Sequence, residues 1–200
     1  MTMRRREVSV MTRGLERLSD PKIAIGVCAG VSFSLIAAAH AFERIAGLTP
    51  CLLCLDQREV HWAAIGVAIL AIAVMMLARG GTRIFAAFLG AMVLLYLFSA
   101  GLAGYHAGVE WGFWPGPNEC AGGGRNADLT NFVGSDLLSS LEEPAAGPSC
   151  SEAAWRLFGI SMAGYNALIS LMLAGVAGLS FLRAAKGLRN DRVGSPAIAE

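Results

Sequence analysis

The stretch Ile84–Val109 reads IFAAFLGAMVLLYLFSAGLAGYHAGV, 26 residues without one Asp, Glu, Lys or Arg. A helix rises about 1.5 Å per residue and needs roughly 20 residues to cross about 30 Å of hydrocarbon. This run is therefore long enough to span a bilayer with residues left for tilt. Backbone polar groups in lipid must find partners within their own segment, which makes the span a helix. Working outward, three more charge-free runs appear: Val60–Ala78 and Ile23–Phe42 before it, Leu157–Leu182 after it. The expected fold is all-α, a four-helix transmembrane bundle lying in a lipid bilayer. Gly101, Gly104, Gly164, Gly175 and Gly178 suit close helix packing.

Composition agrees. The chain of 200 residues is 55% hydrophobic and 16% charged, against about a quarter charged in ordinary soluble domains. Its net charge of +1 gives no reason to expect nucleic acid as a partner.

The basic residues orient the bundle. Arg4, Arg5, Arg6, Arg13, Arg17 and Lys22 precede the first span, Arg79 and Arg83 join the second to the third, and Arg183, Lys186, Arg189 and Arg192 follow the last. The positive-inside rule then puts the tails 1–22 and 183–200 in the cytoplasm, flanking a membrane domain over 23–182. The loops 43–59 and 110–156 face outward. A basic start, an apolar run and Ala39-His40-Ala41 also fit a cleaved signal peptide. The run is long for that purpose, and cleavage would leave the later loops on the same side. Glu43 and Arg44 read as a solvated loop pair, and Trp62, Trp111, Trp114 and Trp155 as an aromatic interface belt.

Cys28 lies inside the first span and reads as a small buried apolar residue. The other four cysteines divide evenly between the outward loops, Cys51 and Cys54 in the first, Cys120 and Cys150 in the second. Disulfides persist on the oxidising side of a membrane. In Cys51-Leu52-Leu53-Cys54 the spacing lets two sulfurs meet, and a helix starting there would favour a thiolate. Arg58 follows Cys54 by one helical turn, close enough to stabilise that thiolate or bind a polar headgroup. Gln57 is a polar neighbour without an assigned duty, and His61 shares the face of Arg58.

Cys120 and Cys150 are either a static structural disulfide or a mobile redox pair. Pro115, Gly116, Pro117, Gly147 and Pro148 around them favour movable ends. Between them Leu129, Phe132, Val133, Leu137 and Leu141 recur at roughly helical spacing. The segment reads equally as a short amphipathic helix on the membrane surface or as an irregular loop. No metal is expected, because a zinc site wants a second close Cys or His pair. A c-type haem would need His at position 55, which is Leu. A b-type haem on His40, His61 and His106 is disfavoured by their places near span ends.

Pro50-Cys51-Leu52-Leu53-Cys54-Leu55-Asp56-Gln57-Arg58, then Tyr105-His106 ahead of Cys120, and Cys150 followed by Trp155 and Phe158-Gly159, resemble the disulfide bond formation protein B family of bacterial inner-membrane oxidoreductases. The resemblance covers about Lys22 to Leu182. It implies that the outward loops are periplasmic and that Cys51, Cys54, Cys120 and Cys150 are catalytic. A periplasmic thioredoxin-fold dithiol oxidase of the DsbA type would attack a Cys120–Cys150 disulfide at Cys120. Cys150 would exchange with Cys51, and Cys54 would pass electrons to ubiquinone or menaquinone from the membrane pool, held by Arg58 with His106 nearby. Gly122, Gly123 and Gly124 would let the second loop swing. Two other readings compete: a vitamin K epoxide reductase-like enzyme, whose loop cysteines would be expected ahead of the C-x-x-C, and a scaffold or small transporter with static disulfides.

Overall fold

In the computed structural model, residues 20–78, 81–117 and 149–193 are described. Among these described residues four helices are long and apolar enough to cross a membrane: α1 Pro21–Ile45, α2 Leu52–Ala78, α3 Thr82–Glu110 and α4 Met162–Val193. A two-stranded antiparallel hairpin, β1 Arg156–Leu157 and β2 Ile160–Ser161, precedes α4. Cys120, the glycines 122–124 and the apolar stripe 129–141 lie outside the described residues, as does the tail 1–19.

All four helices extend past their charge-free runs at one end or both, α4 through Arg183 to Val193, because charged residues are tolerated where a helix meets the interface. α1 starts at Pro21, with φ pre-set for a helix, under the Asp20 side chain, which accepts from the amides of Lys22 at 2.9 Å and Ile23 at 3.4 Å. It continues through Glu43 and Arg44, which are therefore helical and not a loop pair. Gly47, in the left-handed region at φ +67°, ends it while Leu48 donates back to the Phe42 carbonyl. α2 begins at Leu52, well ahead of the expected Val60, so the C-x-x-C pair stands at its head. α4 begins later than expected, at Met162. Phe158 and Gly159, both at positive φ, turn the hairpin where helix was anticipated.

Alternating connections gather the end of α1, the head of α2, the end of α3 and the head of α4 at one end of the bundle. The interior is thin and rich in alanine: Ala24, Ala64, Ala68, Ala71, Ala174 and Ala177 let the helices approach, around Ile25, Leu89, Met92 and Tyr96. Cys28 belongs to this core, fully buried. A second, smaller cluster sits at the gathered ends and contains Cys51, Leu53, Val109 and Cys150.

Candidate active site at the head of α2

Cys51 caps α2. Its carbonyl accepts the first helical bond, from the Leu55 amide at 3.1 Å, and its sulfur lies 3.4 Å from the Cys54 amide. That geometry turns both sulfurs to one side, 2.8 Å apart. Cys28, Cys51 and Cys54 are free thiols, whereas Cys150 is disulfide-bonded. Cys51 and Cys150 are both buried, packed in one cluster with Leu53 and Val109. The first loop's dithiol thus shares one buried cluster with Cys150 of the second loop. The hydrogen bond shared with Cys54, reinforced by burial, pushes the Cys51 thiol well above its ordinary range.

His106 reaches in from α3 and puts Nε2 3.5 Å from the Cys51 sulfur and 3.8 Å from the Glu110 carboxylate. The donor atoms of Cys51, Cys54 and His106 fall within 4.8 Å of one another, close enough for metal ligands. On its other side His106 meets Gln57, with Nδ1 2.8 Å from Nε2 of the amide. Gln57 in turn accepts from Asn166 Nδ2 at 2.7 Å, and Asn166 Oδ1 lies 2.9 Å from His61 Nε2. His61 Nδ1 is 3.1 Å from the Ser32 hydroxyl, itself 2.9 Å from Tyr96. Four helices contribute to this one chain of polar contacts.

Beside the dithiol opens a cavity of about 380 Å³. Leu35, Ile36, Ala39 and Phe42 of α1 and Ile169 of α4 give it an apolar wall. Cys51, Cys54, Arg58, His61, His106, Glu110 and Asn166 give it polar ground at the thiol end. Trp155 also lines it, set between Phe42 and Tyr165 with ring centroids 5.6 and 6.3 Å away, rather than serving only at an interface. Arg58 is held to the wall by Glu43, at 2.6 Å, and by the Ala39 carbonyl at 3.5 Å. Glu43 pairs with Arg58 and not with its neighbour Arg44.

The structure brings together Cys51, Cys54, Arg58, His106 and Cys150; Cys120 lies outside the described residues. Asn166 and Glu110 were missed by the sequence reading. Asn166 had a signal: it is the only amide side chain in Leu157–Leu182, and polar groups inside a span are costly unless used.

A planar acceptor with two carbonyl oxygens fits this room. The volume is within the range of small-molecule sites, the wall is apolar, and Arg58 supplies donors for an acceptor-only headgroup. Four membrane helices holding a close dithiol against a disulfide at the mouth of an apolar cavity define a membrane oxidoreductase of the thiol–disulfide class. The family described as Disulfide bond formation protein DsbB matches residues 21–180, and the chain belongs to it, as an oxidoreductase in disulfide bond formation. No curated protein matches the chain.

Proposed function

We propose that the protein reoxidises a periplasmic thioredoxin-fold dithiol oxidase of the DsbA type and hands the electrons to the membrane quinone pool. The observation that carries this reading is the burial of Cys51 and Cys150 in one cluster, with Cys54 facing the cavity. It is a protein-disulfide:quinone oxidoreductase of the bacterial inner membrane, with both termini in the cytoplasm and the segments 43–59 and 110–156, helix ends included, in the periplasm. The basic tails and the Arg79–Arg83 turn support that orientation.

The partner's thiolate attacks a Cys120–Cys150 disulfide at Cys120, releasing Cys150 as a thiolate. Cys150 attacks Cys51 in a Cys51–Cys54 disulfide, and Cys54 leaves as the thiolate. Each exchange breaks one S–S bond and forms one, so no electrons are lost. The partner's second thiol then displaces Cys120 and leaves as the oxidised partner, and Cys120 attacks Cys150, re-forming their disulfide and releasing Cys51. Oxidising the Cys51/Cys54 dithiol back to a disulfide takes two electrons and two protons, which a bound ubiquinone or menaquinone would accept. Arg58 binds and polarises the headgroup by its guanidinium, and His106 holds the Cys51 end of the dithiol. The apolar wall excludes water.

Anaerobic mixing of the purified protein with quinone and a reduced thioredoxin-fold partner tests this reading. Quinone absorbance should fall while Cys51, Cys54, Cys120 and Cys150 all cycle, as scored by mass spectrometry. Cysteines that never change state would turn the reading toward a static scaffold.

A further inference from the structure

The polar chain across the bundle carries a direction. Gln57 Nε2 lies 3.1 Å from the carbonyl oxygen of Leu53. A carbonyl can only accept, so the atom facing it must be the amide nitrogen. The same nitrogen faces His106 Nδ1 at 2.8 Å, and its second N–H donates there. Nδ1 is then bare, and the imidazole proton sits on Nε2, the nitrogen 3.5 Å from the Cys51 sulfur; the ring also donates to the backbone carbonyl of Cys150, in the same buried cluster. The amide oxygen of Gln57 faces the other way and accepts from Asn166 Nδ2 at 2.7 Å. That leaves Asn166 Oδ1 as an acceptor, for Ser170 at 3.3 Å and His61 Nε2 at 2.9 Å. Every group in the run is buried or half-buried, so water does not reshuffle it, and a reversed amide would set two acceptors face to face.

We propose that Gln57 and Asn166 are positioning residues that lock His106 as an Nε2–H donor aimed at the dithiol and its cavity. The lock makes the imidazole a fixed donor at that edge and not a base. A proton on Nε2 also removes the lone pair with which His106 would join Cys51 and Cys54 around a metal. The consequence for turnover rests on the quinone reading above: an acceptor-only headgroup gains from a donor that cannot turn into an acceptor. The lock itself does not depend on that reading.

Histidine tautomers are read by nitrogen NMR on the full-length protein in lipid nanodiscs without quinone. The chain has three histidines, and they should differ. His40 Nδ1 lies 2.9 Å from the Ile36 carbonyl and must carry its proton on Nδ1. His61 and His106 should each show a protonated Nε2 and a bare Nδ1. In Gln57→Glu the carboxylate has no N–H to offer, so Nδ1 of His106 should gain a proton while His40 keeps its own pattern. The KM for a short-tailed ubiquinone analogue should rise about tenfold, the loss of one hydrogen bond of about 1.4 kcal/mol. A wild-type His106 protonated on Nδ1, or a bare Nδ1 in folded Gln57→Glu, would overturn the lock. Should that variant fail to fold, the wild-type tautomer alone decides. A confirmed tautomer in a protein that never reduces the analogue would remove the quinone reading and leave the lock standing.

Discussion

Nε2 of His106, one turn from the end of α3, lies 3.5 Å from the sulfur of Cys51 at the head of α2. This contact ties the third span to the C-x-x-C pair and sets one boundary of the cavity. His106→Phe keeps the bulk and removes the donor. Its rate of quinone reduction should fall about tenfold, the worth of one hydrogen bond to a charged or charge-developing sulfur. Stopped-flow absorbance on the purified variant measures it, and an unchanged rate would separate His106 from the reaction.

Arg58 is anchored by Glu43 across the α1–α2 boundary. Arg58→Ala should raise the quinone KM about tenfold with a smaller change in kcat, since a guanidinium that binds the headgroup acts mainly before electron transfer. Glu43→Gln should raise it less, because the guanidinium stays and loses only its tether. Steady-state kinetics over quinone concentration distinguishes these outcomes, and equal KM values in all three proteins would take Arg58 out of the site.

The raised Cys51 thiol has a consequence for reactivity. Only a thiolate is alkylated, so a higher pKa means less thiolate at any given pH. In the reduced protein near pH 7, iodoacetamide should label Cys54 first, and Cys51 should react appreciably only above the ordinary thiol range. The contact with Cys54 is the leading cause of the shift, so Cys54→Ala should bring Cys51 labelling down toward neutral pH. Peptide mass spectrometry across a pH series reads this directly; faster labelling of Cys51 than of Cys54 would reverse the assignment.

Gly108 has a packing role that its neighbours do not share. A Cβ there would run into the ring of Trp114, which folds back over α3, stacks on Tyr105 with centroids 5.9 Å apart and donates to its carbonyl at 3.0 Å. Gly108→Ala should cost about 1–3 kcal/mol, as overpacking does. A lower melting temperature in detergent and a red-shifted tryptophan emission would register the displaced ring.

How much of this could be read in advance depends on the distance over which each signal acts. The four spans were legible because lipid imposes length and the absence of charge on every segment separately. Helix limits were less so: Leu52–Glu59 is helical although charged, and Phe158-Gly159 turn a hairpin where apolar residues suggested helix. Cys51, Cys54 and Arg58 were legible as a local pattern on one helix. The partners of Gln57 were not, since Asn166 and His106 lie on other helices and only packing brings them together. Glu43 shows the same limit. Arg44 is next to it in sequence, but the α1 helix turns Glu43 toward Arg58.

Direct exchange between the two cysteine centres, through Cys51 and Cys150, is the step on which the proposed relay turns. It is tested by the variant carrying Cys54→Ser and Cys120→Ser, oxidised mildly in lipid nanodiscs and digested without reductant. A Cys51–Cys150 disulfide within one chain should form rapidly and in high yield. Free thiols at both positions, or disulfides only between chains, would contradict it.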